Sequence, residues 1–340
     1  MSMMAVIDAS VKLSGMDDLA MNRTIASVPF AGRYRLVDFP LSNLVNSNIT
    51  SVGVFASYPF TSLMDHIEMG KSWDLDRRRD GLRLLPTVQH GAGIMSVGAF
   101  ASFEEHIQFF NKSKRDYVVI TNPFTVCQLD YEDMLSVHKQ SGADITEAVS
   151  DGVQLKSYIL SKPLFLELIS SYKDKRVISI EDIVKLKKKP YTYGQYHYKG
   201  FFAVIDSVER YFEVSMALLD EENWRLLFRA DRPVYTKVKD EPPTRYIKGS
   251  DVKRSLVANG STIRGDVKGS IISRAVIIRE NTKLQSCIIM QKSLISENCD
   301  LAFVIADKEV IIEEGVSLHG TAEQPIVLRK GDRVTKEDSR

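Results

Sequence analysis

Cysteine is scarce: the 340 residues hold three, Cys127, Cys287 and Cys299, and no two form a CxxC pair. That spacing offers neither a zinc site nor a disulfide framework and points to a reducing, cytoplasmic setting, with each thiol a small buried hydrophobe. Long apolar runs are missing too, with nothing approaching the ~20 residues of a membrane span. The opening MSMMAVIDASVKLSG has neither the basic start nor the apolar core of a signal peptide. Nor is there an excess of one charge. With 45 basic and 44 acidic residues the net charge is +1, so neither nucleic acid nor an acidic membrane is expected as partner. The histidines, His66, His90, His106, His138, His197 and His319, lack metal-ligand spacing, and no metal is expected on the chain.

What is present divides into two periodicities. Up to residue 233, strand-like runs (Val52–Ala56, Tyr117–Ile120) alternate with helix-like stretches at Ala101–Asn111, Tyr131–Ser141, Leu164–Tyr172 and Ser207–Leu219. That alternation predicts a layered α/β domain over 1–233. VYTKVKDEPPTRYIKGS follows, with a Pro-Pro pair and no helical stripe, and reads as a linker opening a second domain over 234–340. Beyond Ser250 aliphatics recur by six: Ile272, Ile278, Leu284, then Ile289, Ile295, Leu301, then Ala306, Ile312, Leu318, each row 17 residues after the last. Companion rows (Ile271, Ile288, Ile305; Ile277, Leu294, Ile311) keep the same offset. Sides of six, six and five residues build a triangular coil, and stacked coils make a left-handed parallel β-helix of three or four turns. Such a solenoid has open ends and is expected to pack on another domain or subunit.

Smaller features have plain structural readings. Asp130 should cap the helix from Tyr131. Arg77-Arg78-Arg79 lies among acids in a solvated loop, and Lys185–Pro190 is a helix end stopped by proline. The run Tyr191, Tyr193, Tyr196, His197, Tyr198 should line a strand edge rather than a nucleic-acid platform.

The stretch from Val28 to Asn43, VPFAGRYRLVDFPLSN, resembles the signature of bacterial glucose-1-phosphate adenylyltransferase (ADP-glucose pyrophosphorylase). The resemblance continues in order through Asn46–Ile49, Trp73–Arg78, Leu84–Pro86, Asp130-Tyr131 with Met134-Leu135, Tyr211–Glu213 and the hexapeptide region, covering nearly the whole chain. It implies a Rossmann-type nucleotidyltransferase domain ahead of the β-helix. Between Thr146 and Tyr158 the chain is shorter than the family pattern, through a deletion or an absent loop, and the family's Glu-Lys-Pro motif is missing.

The family joins ATP to glucose 1-phosphate with Mg²⁺ held by two aspartates, a chemistry that depends on positioning and charge neutralisation. Carried over residue by residue, the resemblance implies that this machinery is gone. The glycine-rich phosphate loop is replaced by Asp8-Ala9-Ser10-Val11-Lys12-Leu13, with an acid facing where phosphates would lie. The family's lysine falls on Ile25, its metal aspartates on Phe124 and Val204, and a glucose-contacting serine on Gln154. Arginines remain at 23, 33 and 35; those at 23 and 35 match an effector site for phosphorylated activators or AMP. Arg33 and Arg35 read equally well as ordinary solvated or ion-paired positions. Asn22 and Pro29 replace two further basic effector residues.

The expectation is a catalytically silent regulatory chain pairing with a catalytic subunit, as a heterotetramer, with Mg²⁺ and ATP used by that partner. Alternatives are an active transferase whose metal site has moved toward Asp206, a hexapeptide acyltransferase using His319, and an assembly role with no effector.

Overall fold

The computed structural model describes residues 2–88, 96–175 and 177–339. His90 lies outside them. The N-terminal half is built on a seven-stranded sheet in the order Tyr193–His197, Ile145–Ser150, Val153–Ser161, Tyr117–Thr121, Met3–Asp8, Ser51–Ser57, Gly81–Thr87. The last four strands run parallel, and the fully buried central residues of Tyr117–Thr121, Met3–Asp8 and Ser51–Ser57 fit a sheet covered on both faces, while the edge strand Gly81–Thr87 is partly exposed. Val153–Ser161 runs antiparallel to both neighbours. Two separate apolar clusters cover the two faces of this sheet.

Helices form at Tyr131–Ser141, Lys162–Lys175 and Val208–Ala217, close to the predicted stretches. Asp130 does cap the first, accepting from the backbone N–H of Glu132 and of Asp133. The stretch predicted as one helix over Ala101–Asn111 is instead two, Phe100–Glu105 and Ile107–Lys112. His106 interrupts them: its ring bonds the Pro86 carbonyl at 2.7 Å and packs edge-on against Phe55. The aromatic run after Tyr191 forms the edge strand Tyr193–His197.

From Arg245 the chain winds into the β-helix, whose three sides are parallel sheets of six, five and five strands. This exceeds the three or four turns expected, because the outer turns break the regular offset. Leu256 pairs with Ile271 and Thr262 with Ile277, two residues short of the repeat. Ile311 pairs with Arg333 after an inserted corner. Ile272, Ile278, Leu284, Ile289, Ile295, Leu301, Ile312 and Leu318 fill the interior. The companion row splits off: Ile288 and Ile305, with Met290, face outward into the core of the N-terminal half. Phe303 meets Phe212 there with ring centroids 6.2 Å apart. The solenoid thus packs on the α/β half through its own repeat. The row Ile277, Leu294, Ile311 faces away and stays partly bare, Ile277 being 43% exposed.

All three cysteines are free and buried, and burial pushes the thiols of Cys127 and Cys287 up to about 12. No helix among the described residues is long and apolar enough to cross a membrane.

Candidate functional site

In an open α/β sheet, ligands bind beyond the carboxyl ends of the parallel strands. Here that edge begins with Asp8, at the end of the strand Met3–Asp8. The carboxylate does not face an open cleft as expected. It is 1% exposed and accepts from Ser10 N–H at 3.1 Å, Ser10 Oγ at 2.6 Å and Gly98 N–H at 2.7 Å. A loop following this strand would offer such amides to a phosphate. The side chain has taken them itself, and because burial outweighs these bonds its pKa is raised. Ile25 is buried in the adjoining short turn Ile25–Ser27, beside a cavity of about 290 Å³ that Lys12, Arg23 and Tyr58 also line.

The strand Tyr117–Thr121 ends on Asn122, which shapes the turn from both ends. Its Oδ1 accepts from the backbone N–H of Phe124 (3.1 Å) and Thr125 (2.8 Å), and its Nδ2 donates to the carbonyls of Leu155 and Lys156. The turn drives Phe124 inward, where its ring is fully buried. Lys156 Nζ lies 5.5 Å from the centroid of that ring and 3.1 Å from Glu181 Oε1. Val204 closes the short strand Phe202–Val204 opposite Thr125. Asp206 lies past the end of that strand rather than on its face, exposed. An aromatic face, an aliphatic side chain and a lysine already paired with a glutamate cannot coordinate Mg²⁺, which needs carboxylate and water oxygens. Among the described residues no three His, Cys, Asp or Glu side chains converge. The residues present do not fit the metal.

Beside them a cavity of about 550 Å³ survives, lined by Gln154, Lys156, Gln195, His197, Val204 and Asp206. Gln154 turns its amide to Glu147 Oε2 at 3.2 Å. Glu147 is 2% exposed, and burial raises its pKa. The shortened stretch before Tyr158 is a hairpin, Ile145–Ser150 against Val153–Ser161, turned by Asp151-Gly152 with φ of 47° and 77°. Two successive left-handed residues make the tight turn that Asp-Gly favours, so the chain closes with no further loop.

The second charged region is the seam between the α/β half and the solenoid. Arg23, 7% exposed, is ion-paired with buried Asp307 of the solenoid. Burial, then the facing Arg35, push Arg23 down to about 10, so it stays charged at neutral pH. Arg35 donates to the Ser62 carbonyl and, at 3.0 Å, to Ser62 Oγ. Its backbone N–H bonds Asp38 Oδ2 at 2.9 Å, while Asp38 Oδ1 holds buried His66 at 2.5 Å. Burial lowers the His66 pKa although Asp38 opposes it. Arg33 does not join them; it is exposed, with its guanidinium 5.4 Å from the Tyr34 ring centroid.

Sequence reasoning missed the residues that complete the seam. Lys308 is half-buried and pushed down to about 6, by burial first and then by Arg35, Arg23, Lys239 and Lys330. Burial and Arg274 lower Lys239 as well. Cations from the signature, the linker and the solenoid therefore crowd one seam, with Asp307 committed to Arg23 and to the Lys308 N–H (2.7 Å). The signal was available: Asp307-Lys308 is a charged pair directly after the core residue Ala306. His319 is exposed, 3.7 Å from Asp300.

The chain matches a nucleotidyl transferase family model over residues 16–157 and a GlmU-like C-terminal hexapeptide model over residues 242–324. It is 45% identical over 329 residues to "Glycogen biosynthesis protein GlgD" of Bacillus subtilis (strain 168), covering 97% of this chain and 96% of that one. The protein of the same description from Geobacillus stearothermophilus is 47% identical over 330 residues, at the same coverage. More distantly, it is 26% identical over 353 residues to a glucose-1-phosphate adenylyltransferase of Bacillus anthracis, covering 92% of this chain and 93% of that one.

Proposed function

The chain belongs to the GlgD family of glycogen biosynthesis proteins, and from that premise we propose that it is a non-catalytic regulatory subunit for glucose-1-phosphate adenylyltransferase. One observation supports the reading: Phe124 and Val204, on which the family resemblance puts the metal aspartates, offer no carboxylate, and the nearby Lys156 is paired with Glu181. In this reading Mg²⁺ and ATP belong to the catalytic partner, and the two chains form a cytoplasmic heterotetramer. The bare row Ile277, Leu294, Ile311 supports association, since a partner's apolar surface could cover it. The crowded cations of the seam support a phosphorylated effector or AMP, with Arg35, Lys239 and Lys308 as donors and Arg23 held by Asp307 behind them.

The test is ADP-glucose synthesis by the purified chain alone, by the catalytic subunit alone, and by the two mixed. Alone, the chain should show no turnover, and Phe124→Asp should restore none, since Val204 and Ile25 remain limiting. Mixed, it should co-elute with the catalytic subunit and change that subunit's activity or effector response. Turnover comparable to the catalytic chain's, in a preparation free of it, would overturn the proposal in favour of an active transferase with a shifted metal site.

A further inference from the structure

At the opposite end of the sheet, the starts of the strands Met3–Asp8, Ser51–Ser57 and Gly81–Thr87 open onto a groove of about 630 Å³. Arg78, Arg79, Arg83, Lys112, Lys114 and Arg115 line it, against one carboxylate, Asp80. Asp80 is already committed to Arg115, at 2.5 Å. Among the described residues the other five cations pair with no carboxylate. Several surface arginines elsewhere are paired: Arg210, Arg225, Arg264 and Arg333 each hold a glutamate. With 45 basic and 44 acidic residues the chain as a whole is nearly neutral, so six cations against one carboxylate make this groove locally basic.

The groove is also well supported. Gly81, at φ of 76°, leaves no room for a Cβ, which would meet the Leu75 carbonyl at 2.6 Å. Its N–H bonds the Thr50 carbonyl at 2.7 Å, and Leu82 N–H bonds the Leu75 carbonyl at 2.9 Å, closing the loop that carries Arg78 and Arg79. Arg83 projects from a strand of the sheet, and Lys112 ends the helix Ile107–Lys112. An adjoining cavity of about 690 Å³ shares Lys114 and Arg115 and adds Lys162 and the carboxylate of Asp116.

We propose that this groove binds a small soluble anion carrying two or more phosphate groups. Guanidinium forks match phosphate oxygens, and a single dianion would leave most of the charge unneutralised. The volume lies within the ~300–1,000 Å³ of small-molecule sites. A nucleic acid strand would want a row of stacking aromatics, whereas Phe109 is the one aromatic side chain lining the groove. The groove lies across the sheet from Asp8 and Phe124 and involves none of the seam residues, so the inference is independent of the regulatory reading.

The experiment is calorimetric titration of the full chain with inorganic tripolyphosphate at ~0.15 M salt, where long-range attraction is screened. To weaken anion binding at the seam, it is run on Lys308→Met and on the same protein carrying Arg83→Gln, Lys112→Gln and Lys114→Gln. All three groove residues are exposed, and matching thermal melts will show that the fold is kept. Expected is one tripolyphosphate per chain on Lys308→Met, weakened tenfold or more by the groove substitutions. Equal binding by both proteins, or none by Lys308→Met, would overturn the proposal. So would a single-stranded oligonucleotide, or vesicles containing phosphatidylserine, binding more tightly than tripolyphosphate and losing that binding with the same substitutions.

Discussion

The strand-end pocket and the interdomain seam treat charge in opposite ways. At the strand ends Asp8 is hydrogen-bonded by Ser10 and Gly98 and Lys156 is paired with Glu181, while Phe124 and Val204 carry no charge. In the seam like charges are brought together instead, and Lys308 is held down near 6 by burial and its cationic neighbours. Both arrangements sit on one scaffold, and the second costs stability in the absence of a ligand. Burying cations against one another is unfavourable unless a counter-charge relieves it. The strand ends hold their charges in local contacts, whereas the seam rests in a state that an anion would relax.

The most damaging way to break this contrast is at Asp307, which alone compensates Arg23 and belongs to the other half of the molecule. Removing one partner of a buried pair strands the other charge, so Asp307→Ala should cost about 3 kcal/mol or more. The loss should show as a lower urea midpoint, with the solenoid loosening from the α/β half. Adding AMP should recover part of it, since the phosphate can meet the freed guanidinium. An Asp307→Ala protein as stable as wild type would mean that the apolar contacts of Ile288, Met290 and Ile305 hold the seam alone.

A milder perturbation sharpens the same contrast through protons. Lys308 titrates near 6 when folded and near 10.5 when unfolded, so between those values the unfolded chain binds more protons. Stability should therefore rise with pH across that window, and the penalty should be fully present below about 6. Replacing the residue with methionine should flatten that slope and add about 1 kcal/mol near pH 7, as apolar substitutions of buried charges often do. An anion in the seam favours the charged lysine, so AMP binding at pH 7.5 should take up as much as one proton. Calorimetry in buffers of different ionisation heat reads that uptake directly. Uptake unchanged in Lys308→Met would place the anion elsewhere.

Much of this was legible in the sequence because it rests on periods and shapes. The inward rows of the solenoid are read from their offset alone, since a triangular coil must bury every sixth residue. The same rule hid the outer turns, where one corner loses two residues and another gains five, and no fixed offset survives. Phe124 and Val204 could be located by motif, but the lysine that accompanies them could not. Lys156 arrives from a neighbouring strand, and only the Asp-Gly turn, overlooked as a hairpin signal, brings it there. Asp8 misled for a related reason. Its position in the chain follows the phosphate loop, but its direction depends on Gly98, 90 residues away.

The smallest expected effect concerns Asp130, at the start of the helix Tyr131–Ser141. Two physical roles compete for it. As a helix cap it accepts from the N–H groups of Glu132 and Asp133, and as a charge it meets Arg232 Nη1 at 2.6 Å. Asparagine caps as well as aspartate but carries no charge, whereas alanine does neither. Arg232 would keep Ser47 Oγ at 3.1 Å and the Leu129 carbonyl at 3.2 Å, so losing the half-exposed carboxylate should matter little. Asp130→Asn should then lie within ~0.5 kcal/mol of wild type, and Asp130→Ala should lose ~1 kcal/mol, measured by urea denaturation. If asparagine proves as damaging as alanine, the charge is what counts. Asp130 would then act chiefly through its pair with Arg232 rather than as a helix cap.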